Sequence, residues 1–156
     1  MGNIIDISVD NHRQQIRLNN DDNRIIEIDL ADPNILTRLH EGVGEMEKLL
    51  THRDELRSEI SSAETETNTG RQEFLAIVNE FSSMEAKMRI IINDIFDYDV
   101  CTPFLGRASI FSVKDGTFMY EVIIDTLLNL YEQSIQAESQ KIKERFSKHT
   151  DKYLKK

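Results

Sequence analysis

The pattern of apolar and polar residues predicts two amphipathic helices in the middle and later part of the chain. Apolar residues recur every three or four positions from residue 74 to residue 95, which is the spacing of one face of an α-helix. This first stripe consists of Phe74, Ile77, Phe81, Met84, Met88, Ile91 and Ile95. A second stripe, which follows the helical period less strictly, consists of Phe118, Val122, Leu127, Leu130, Tyr131 and Ile135. Between the stripes, Pro103 and Gly106 exclude one continuous helix.

The end of the first stripe is wider than one helix face. Four isoleucines at this end cover more than one side of the helix: Ile90, Ile91, Ile92 and Ile95. Such a helix end is either buried on two sides or meets a partner. The pattern alone leaves both possibilities open.

Another helix is predicted ahead of these two. Asp32 and Pro33 form a helix-start signal, because Asp favours the N-cap and Pro the first helical position. The stripe that follows drifts along the helix, as a period of 3.6 residues requires. Its members are Leu36, Leu39, Val43, Met46 and Leu50, and then Leu49, Leu56, Ile60 and Ala63. We expect this helix to weaken over residues 65–70 and to end at Gly70.

The N-terminal residues predict short strands instead. Residues 3–9 carry β-branched side chains in an imperfect alternation, residues 13–18 end in Gln-Ile-Arg-Leu, and residues 24–30 alternate at Ile26, Ile28 and Leu30. Clusters of Asn and Asp separate these segments, so two or three short antiparallel strands are predicted. Near the other end, residues 108–113 fit a short strand or a helical turn equally well. A turn and an N-cap at residues 114–117 then lead into a helix from residue 118 to about residue 148.

The predicted fold is therefore mainly α, with a small N-terminal antiparallel β element followed by three main helices. We divide the chain into the β element (1–31), a helical domain (32–148) and a basic C-terminal tail (149–156). A length of 156 residues suits one folding unit.

Charge is distributed unevenly along the chain. The net charge is −9, but residues 141–156 hold seven basic and two acidic residues, a balance of +5, which leaves −14 on the other 140 residues. An acidic body argues against nucleic-acid binding, because phosphate contacts need a basic surface. No apolar run approaches the roughly 18 residues of a membrane span, and no signal peptide is evident. We expect a cytoplasmic protein that binds neither nucleic acid nor membrane.

Residues that could carry chemistry are present but do not form a recognised constellation. The four His residues are scattered without metal-ligand spacing, and the glycines form no phosphate-binding loop. Cys101 is the single cysteine, and we interpret it as a small buried residue. Asp94, Asp97 and Asp99 lie near a predicted helix end, where a solvated cluster is a simpler interpretation than an acid–base pair. We expect no catalytic site, no cofactor and no metal.

The order of these features resembles the small tail assembly chaperone-like proteins of long-tailed phages that infect Gram-positive bacteria. The resemblance rests on residues 28–33 (IDLADP), residues 91–97 (IINDIFD), the turn at residues 104–106 (FLG) and the Lys-rich end of the last helix. It implies a non-catalytic chaperone in the cytoplasm of the bacterial host. Its implied partners are the hydrophobic, helical tape-measure protein and the tail tube protein.

On this basis we predict the residues that contact the client: Met84, Met88, Ile91, Ile95, Phe96, Phe104 and Leu105. Two other functions fit the pattern. One is a structural or scaffold subunit of a virion that self-assembles through the N-terminal strands and the last helix. The other is an acidic regulator or inhibitor of a host protein. A homo-oligomer is compatible with all three.

Overall fold

The computed structural model describes residues 2–10, 12–62 and 67–154, and it is mainly helical, as predicted. Two strands, β1 (Gln14–Arg17) and β2 (Ile25–Ile28), precede the long helices α1 (Ile35–Ser62) and α2 (Asn68–Phe96). A short helix α3 (Cys101–Leu105), the strands β3 (Val113–Lys114) and β4 (Thr117–Phe118) and the long helix α4 (Met119–Leu154) complete the described chain.

Strands β1 and β2 form an antiparallel hairpin that packs on the helices. Gln14 pairs with Ile28 and Arg17 with Ile25. Ile26 and Ile28 are fully buried, so one face of the hairpin closes the core. Arg24 fixes the hairpin to α3, since its Nε and Nη2 donate to the carbonyl oxygens of Pro103 and Phe104 at 2.6 and 2.8 Å.

Of the two or three strands predicted in this region, two form in the described residues 2–10 and 12–31. Residues 2–10 have no regular secondary structure and are exposed. Their alternation of apolar and polar residues favours a strand, but a strand also needs an edge to pair with. In the part of the chain that the structure describes, residues 2–10 pair with no strand.

Helices α1 and α2 form an antiparallel pair whose facing stripes make up much of the core. The buried cluster joins α1, α2, the hairpin, α3 and α4 and includes Ile35, Met46, Met88, Ile92, Phe96, Ile123, Leu127 and Tyr131. At the end of the pair where α1 begins and α2 ends, Arg38 Nε donates to the carbonyl oxygen of Ile95 at 2.8 Å. The guanidinium of Arg38 also pairs with Asp32 at 2.9 Å.

The predicted helix boundaries differ from the observed ones at several ends. Asp32 does precede α1, where its Oδ1 accepts from the Asn34 N–H at 2.9 Å, but regular helix begins only at Ile35. Gly70 does not end α1. It lies buried in the first turn of α2, and the Thr67 hydroxyl caps that helix by accepting from the Gly70 N–H. A preceding Thr cap explains how a glycine is tolerated at a helix start.

The structure shows the conformation of residues 108–113, which the sequence pattern left open between a short strand and a helical turn. Residues 107–112 form turns, and residues 113–118 form a hairpin with Asp115 and Gly116 at its tip. Both tip residues have positive φ, 54° and 78°, as a two-residue Asp-Gly turn requires. Thr117 is therefore a strand residue and not an N-cap. Helix α4 continues to Leu154, past the predicted boundary at residue 148.

Candidate partner-binding surface

The predicted client-contact residues lie mostly inside the molecule. Six of them are buried, with side chains at most 9% exposed: Met84, Met88, Ile91, Ile95, Phe96 and Leu105. Phe104 is half-buried. These side chains pack against the chain's own core, because the α2 stripe faces α1 on one side and the later elements on the other. Client contact by these residues stays a prediction, and in this conformation most of them are inaccessible to a partner.

Beside these buried residues, a shallow groove runs along one flank of the α1–α2 pair. We call it the α1–α2 groove. It combines two adjoining depressions of about 220 and 360 Å³ that share Glu45 and Ile91. The larger depression is mostly apolar and is lined by Leu49, Ile90 and Ile91 between the stems of Lys48 and Lys87. Of these three apolar side chains, that of Ile90 is the most accessible, at 60% exposed.

Charge along the groove rim changes from one end to the other. Glu41, Glu45 and Asp94 line the smaller depression, while Lys48 and Lys87 flank the larger one. Arg38 also lines the smaller depression, but its charge is paired with Asp32. The rim therefore has an acidic end and a basic end, which favours a ligand with a defined orientation.

The two helices approach closely at Gly42, which lines the smaller depression. A Cβ atom at position 42 would lie 2.6 Å from Cδ1 and Cγ1 of Ile95. Without a side chain at this position, the Ile95 side chain packs directly on the α1 backbone. The close approach fixes the rim residues on either side of it.

The three clustered aspartates, Asp94, Asp97 and Asp99, lie at the C-terminal end of α2 and in the turn that follows it. Asp97 occupies the C-cap position with φ 52° and pairs with Arg13 at 3.1 Å. Asp99 accepts from the Asn93 side chain and from the Thr102 N–H. Asp94 faces the groove. These contacts are those of a helix terminus and its turn.

The other titratable groups fit structural positions as well. Burial raises the pKa of Cys101 to about 12, so its thiolate is scarce at neutral pH. His52 lies on the outer surface with Glu55 and Glu80 at 3.6 and 3.3 Å. Within residues 2–10, 12–62 and 67–154, no group of three His, Cys, Asp or Glu side chains is placed to hold a metal ion.

Two structural clusters were not evident in the sequence. Arg53 of α1 lies among three rings, with its guanidinium carbon 4.5 Å from the centre of Phe111, 5.8 Å from Phe118 and 6.0 Å from Phe81. Glu85 of α2 accepts from the Ser109 hydroxyl and from the Ile110 N–H. Both contacts tie the segment after α3 to the helix pair, and neither has a local sequence signal because their partners lie 24 or more residues away.

The groove did have a sequence signal, namely the widening of the first stripe. Burial, the first of the two alternatives left open by the widening, holds for most of this helix end, and contact with a partner stays a prediction. Ile92 and Ile95 are buried, Ile91 lies at the edge of the groove, and Ile90 is exposed on a further side. An Ile at that position contributes nothing to the core, and its exposure is consistent with a contact surface.

Comparison with known proteins identifies no relative: no protein-family model, no curated protein and no solved structure matches this chain. Among the described helices, none combines the length and apolarity needed to cross a membrane. The surface itself is therefore the basis for a functional proposal.

Proposed function

We propose that this protein is a non-catalytic phage tail assembly chaperone that binds helical segments of a tape-measure protein and helps recruit tail tube subunits. The proposal joins the resemblance in the sequence to one structural observation, the apolar floor and charged rim of the α1–α2 groove. A groove between two helices is a common receptor for an amphipathic helix, whose apolar side chains enter it at helical spacing.

The dimensions of the groove suit one or two side chains of such a helix. Ile90 and Leu49 provide an apolar contact, and the opposed charges at the two ends of the rim favour one orientation of the client. A client helix with an apolar stripe and oppositely arranged charges would cover Ile90 and leave the core of the chaperone intact. In this proposal the residues at the centre of the contact are Leu49, Ile90 and Ile91.

The experiment is co-expression with a tape-measure fragment that is insoluble alone, followed by co-purification. We expect the unaltered protein to keep the fragment soluble and Ile90→Glu to weaken binding on the order of tenfold, which corresponds to about 1.4 kcal/mol. Since Ile90 is 60% exposed, this change should leave folding intact. By contrast, a charge at the buried Met88 would test folding more than binding.

Leu36→Glu is the matched control. Leu36 is 67% exposed, lies on α1 and does not line the groove. Equal retention of the fragment by the Ile90 variant and by the unaltered protein would reject the groove as the client site. Failure of the unaltered protein to hold the fragment would count against the chaperone function itself.

A second candidate function is a structural virion subunit that self-assembles. One observation favours it: four β-branched side chains of residues 4–9 are uncovered in the single chain. Purified phage particles separate the two functions, because a structural subunit remains in the particle and an assembly chaperone does not.

A further inference from the structure

The N-terminal arm, residues 2–10, has the composition of a strand but does not belong to a sheet in the described chain. Ile4, Ile5, Ile7 and Val9 are between 78% and 89% exposed. In an extended conformation successive side chains point to opposite sides. Ile5, Ile7 and Val9 then form one apolar face, and Asp6 and Ser8 lie on the other face together with Ile4.

The outer edge of β1 offers the matching backbone. The Leu18 N–H donates to the carbonyl oxygen of Arg24, so residues 14, 16 and 18 direct their backbone groups toward β2. By alternation, Gln15 and Arg17 direct theirs away from β2. In the described part of the chain, β1 and β2 form a two-stranded sheet, which leaves this side of β1 without a neighbouring strand. An open edge of this kind is a template for another strand.

The side chains of the arm and of β1 also match. On the core-facing side of β1, Ile16 and Leu18 are only half-buried, while Gln15 and Arg17 are exposed on the other side. An antiparallel register with Ile7 opposite Ile16 places Ile5 opposite Leu18. The same register places Asp6 opposite Arg17, whose guanidinium also pairs with Asp22 at 2.9 Å. Apolar and opposite-charge cross-strand pairs of this type stabilise a sheet.

We propose that the arm of one copy adds as a third, antiparallel strand to the outer edge of β1 in a second copy of this chain. Among the described residues the arm forms no strand with its own β1, although that edge is open. Each copy carries both the arm and the edge, so the exchange is reciprocal and gives a twofold-symmetric dimer. This dimer does not depend on the proposed chaperone function.

The first experiment measures the mass of the purified full chain by light scattering after size-exclusion chromatography, over a range of concentrations. We expect a dimer that dissociates on dilution. The Ile5→Asp and Ile7→Asp double variant should be monomeric, because both side chains face the core-side apolar residues of the partner's sheet. Monomeric unaltered protein at every concentration would overturn the proposal.

Ile4→Asp is the matched control for this experiment. Ile4 is adjacent to Ile5 and at least as exposed, but it lies on the opposite face of the extended arm. We expect this variant to remain dimeric. A dimer that survives the double variant, or one that Ile4→Asp disrupts equally, would contradict the strand model.

The second experiment distinguishes exchange between copies from closure of the arm on its own chain. The proposed register places residue 8 opposite residue 15, within the Cα separation that a disulfide spans. On oxidation, the Ser8→Cys and Gln15→Cys double variant should form a covalent dimer. A linked monomer would show that the arm closes on its own β1, and an absence of any link would exclude the register; either result overturns the proposal.

Discussion

At the scale of single residues, Arg53 is the unusual one, because it brings a positive charge among aromatic rings. Its Nε is buried and has no hydrogen-bond partner. Burial is the largest influence on its pKa and lowers it, and the nearby Arg57 acts in the same direction. The position therefore combines a desolvation cost with favourable stacking on Phe111 and Phe118.

This balance predicts different effects for two substitutions of Arg53. Arg53→Lys should reduce the free energy of unfolding by about 1–2 kcal/mol, because an ammonium group keeps the charge but loses the planar stacking. Arg53→Met should cost less, since it keeps a flexible apolar stem beside the rings and removes the buried charge. Urea unfolding measures the free energy of unfolding of both variants. The reverse order of stability would show that the charge itself stabilises the cluster.

Glu85 provides a prediction about pH. Burial alone would raise the pKa of this carboxyl, but hydrogen bonds from Ser109, Ile110 and Arg89 outweigh burial and lower it. A carboxyl with a lower pKa in the folded state stabilises the fold above its unfolded-state pKa, and this contribution is lost as the pH falls through the folded-state pKa.

We therefore expect Glu85→Gln to reduce the free energy of unfolding by about 1–2 kcal/mol at neutral pH, where the carboxylate accepts its hydrogen bonds. The difference from the unaltered protein should shrink as the pH falls below the ordinary Glu pKa of about 4.3, because protonation then favours the unfolded state until the folded carboxyl is protonated as well. Urea titrations at several pH values measure this difference. A difference that stays constant down to pH 3 would show that the charge of Glu85 is not involved.

At the scale of elements, the sequence predicted correctly which residues share one face of α2, but it did not predict what covers that face. Residues of the first stripe do line one face of α2. However, helical periodicity shows only that a face is covered, and it does not distinguish a covering element of the same chain from a partner. For this reason six of the seven predicted client-contact residues are core residues, while Ile90, at the margin of the stripe, is exposed.

The N-terminal region and the helix contact at Gly42 show the same limit: the sequence pattern does not identify a partner that lies far away in the chain. Alternation at Ile26 and Ile28 predicted a half-buried strand correctly, because its pairing partner lies close in the chain. Residues 3–9 carry a similar pattern but have no partner strand among the residues that the structure describes. The close approach of α1 and α2 at Gly42 was also invisible, since it depends on which residue of α2 lies opposite.

That close approach predicts opposite effects for two glycines of α1. Gly42→Ala should reduce the free energy of unfolding by about 1–3 kcal/mol, because the added methyl group would lie 2.6 Å from the Ile95 side chain. Gly44→Ala, two residues away, meets no atom within 4 Å and should increase stability by about 0.5–1 kcal/mol through helix propensity. Urea unfolding of the two variants measures this. A stabilising Gly42→Ala would show that the helices separate without cost.

At the scale of the whole molecule, α4 extends well beyond the part that packs. Among its described side chains, those of Ile123, Leu127 and Tyr131 are buried, and residues 136–145 are exposed. The helix has 36 residues, so at about 1.5 Å per residue the part after Tyr131 spans roughly 35 Å. This projection also carries the basic end of an otherwise acidic chain, which separates the two charges in space.

Because residues 136–145 of α4 are exposed, removal of the projecting part should leave the body stable. We expect deletion of residues 137–156 to change the free energy of unfolding by less than about 0.5 kcal/mol, as for surface changes in general. The helical circular dichroism signal should fall in proportion to the residues removed. Urea unfolding at two protein concentrations completes the test. A loss of more than about 1 kcal/mol that grows with concentration would show that the projection packs on a second copy, and a loss independent of concentration would show that it packs on its own body.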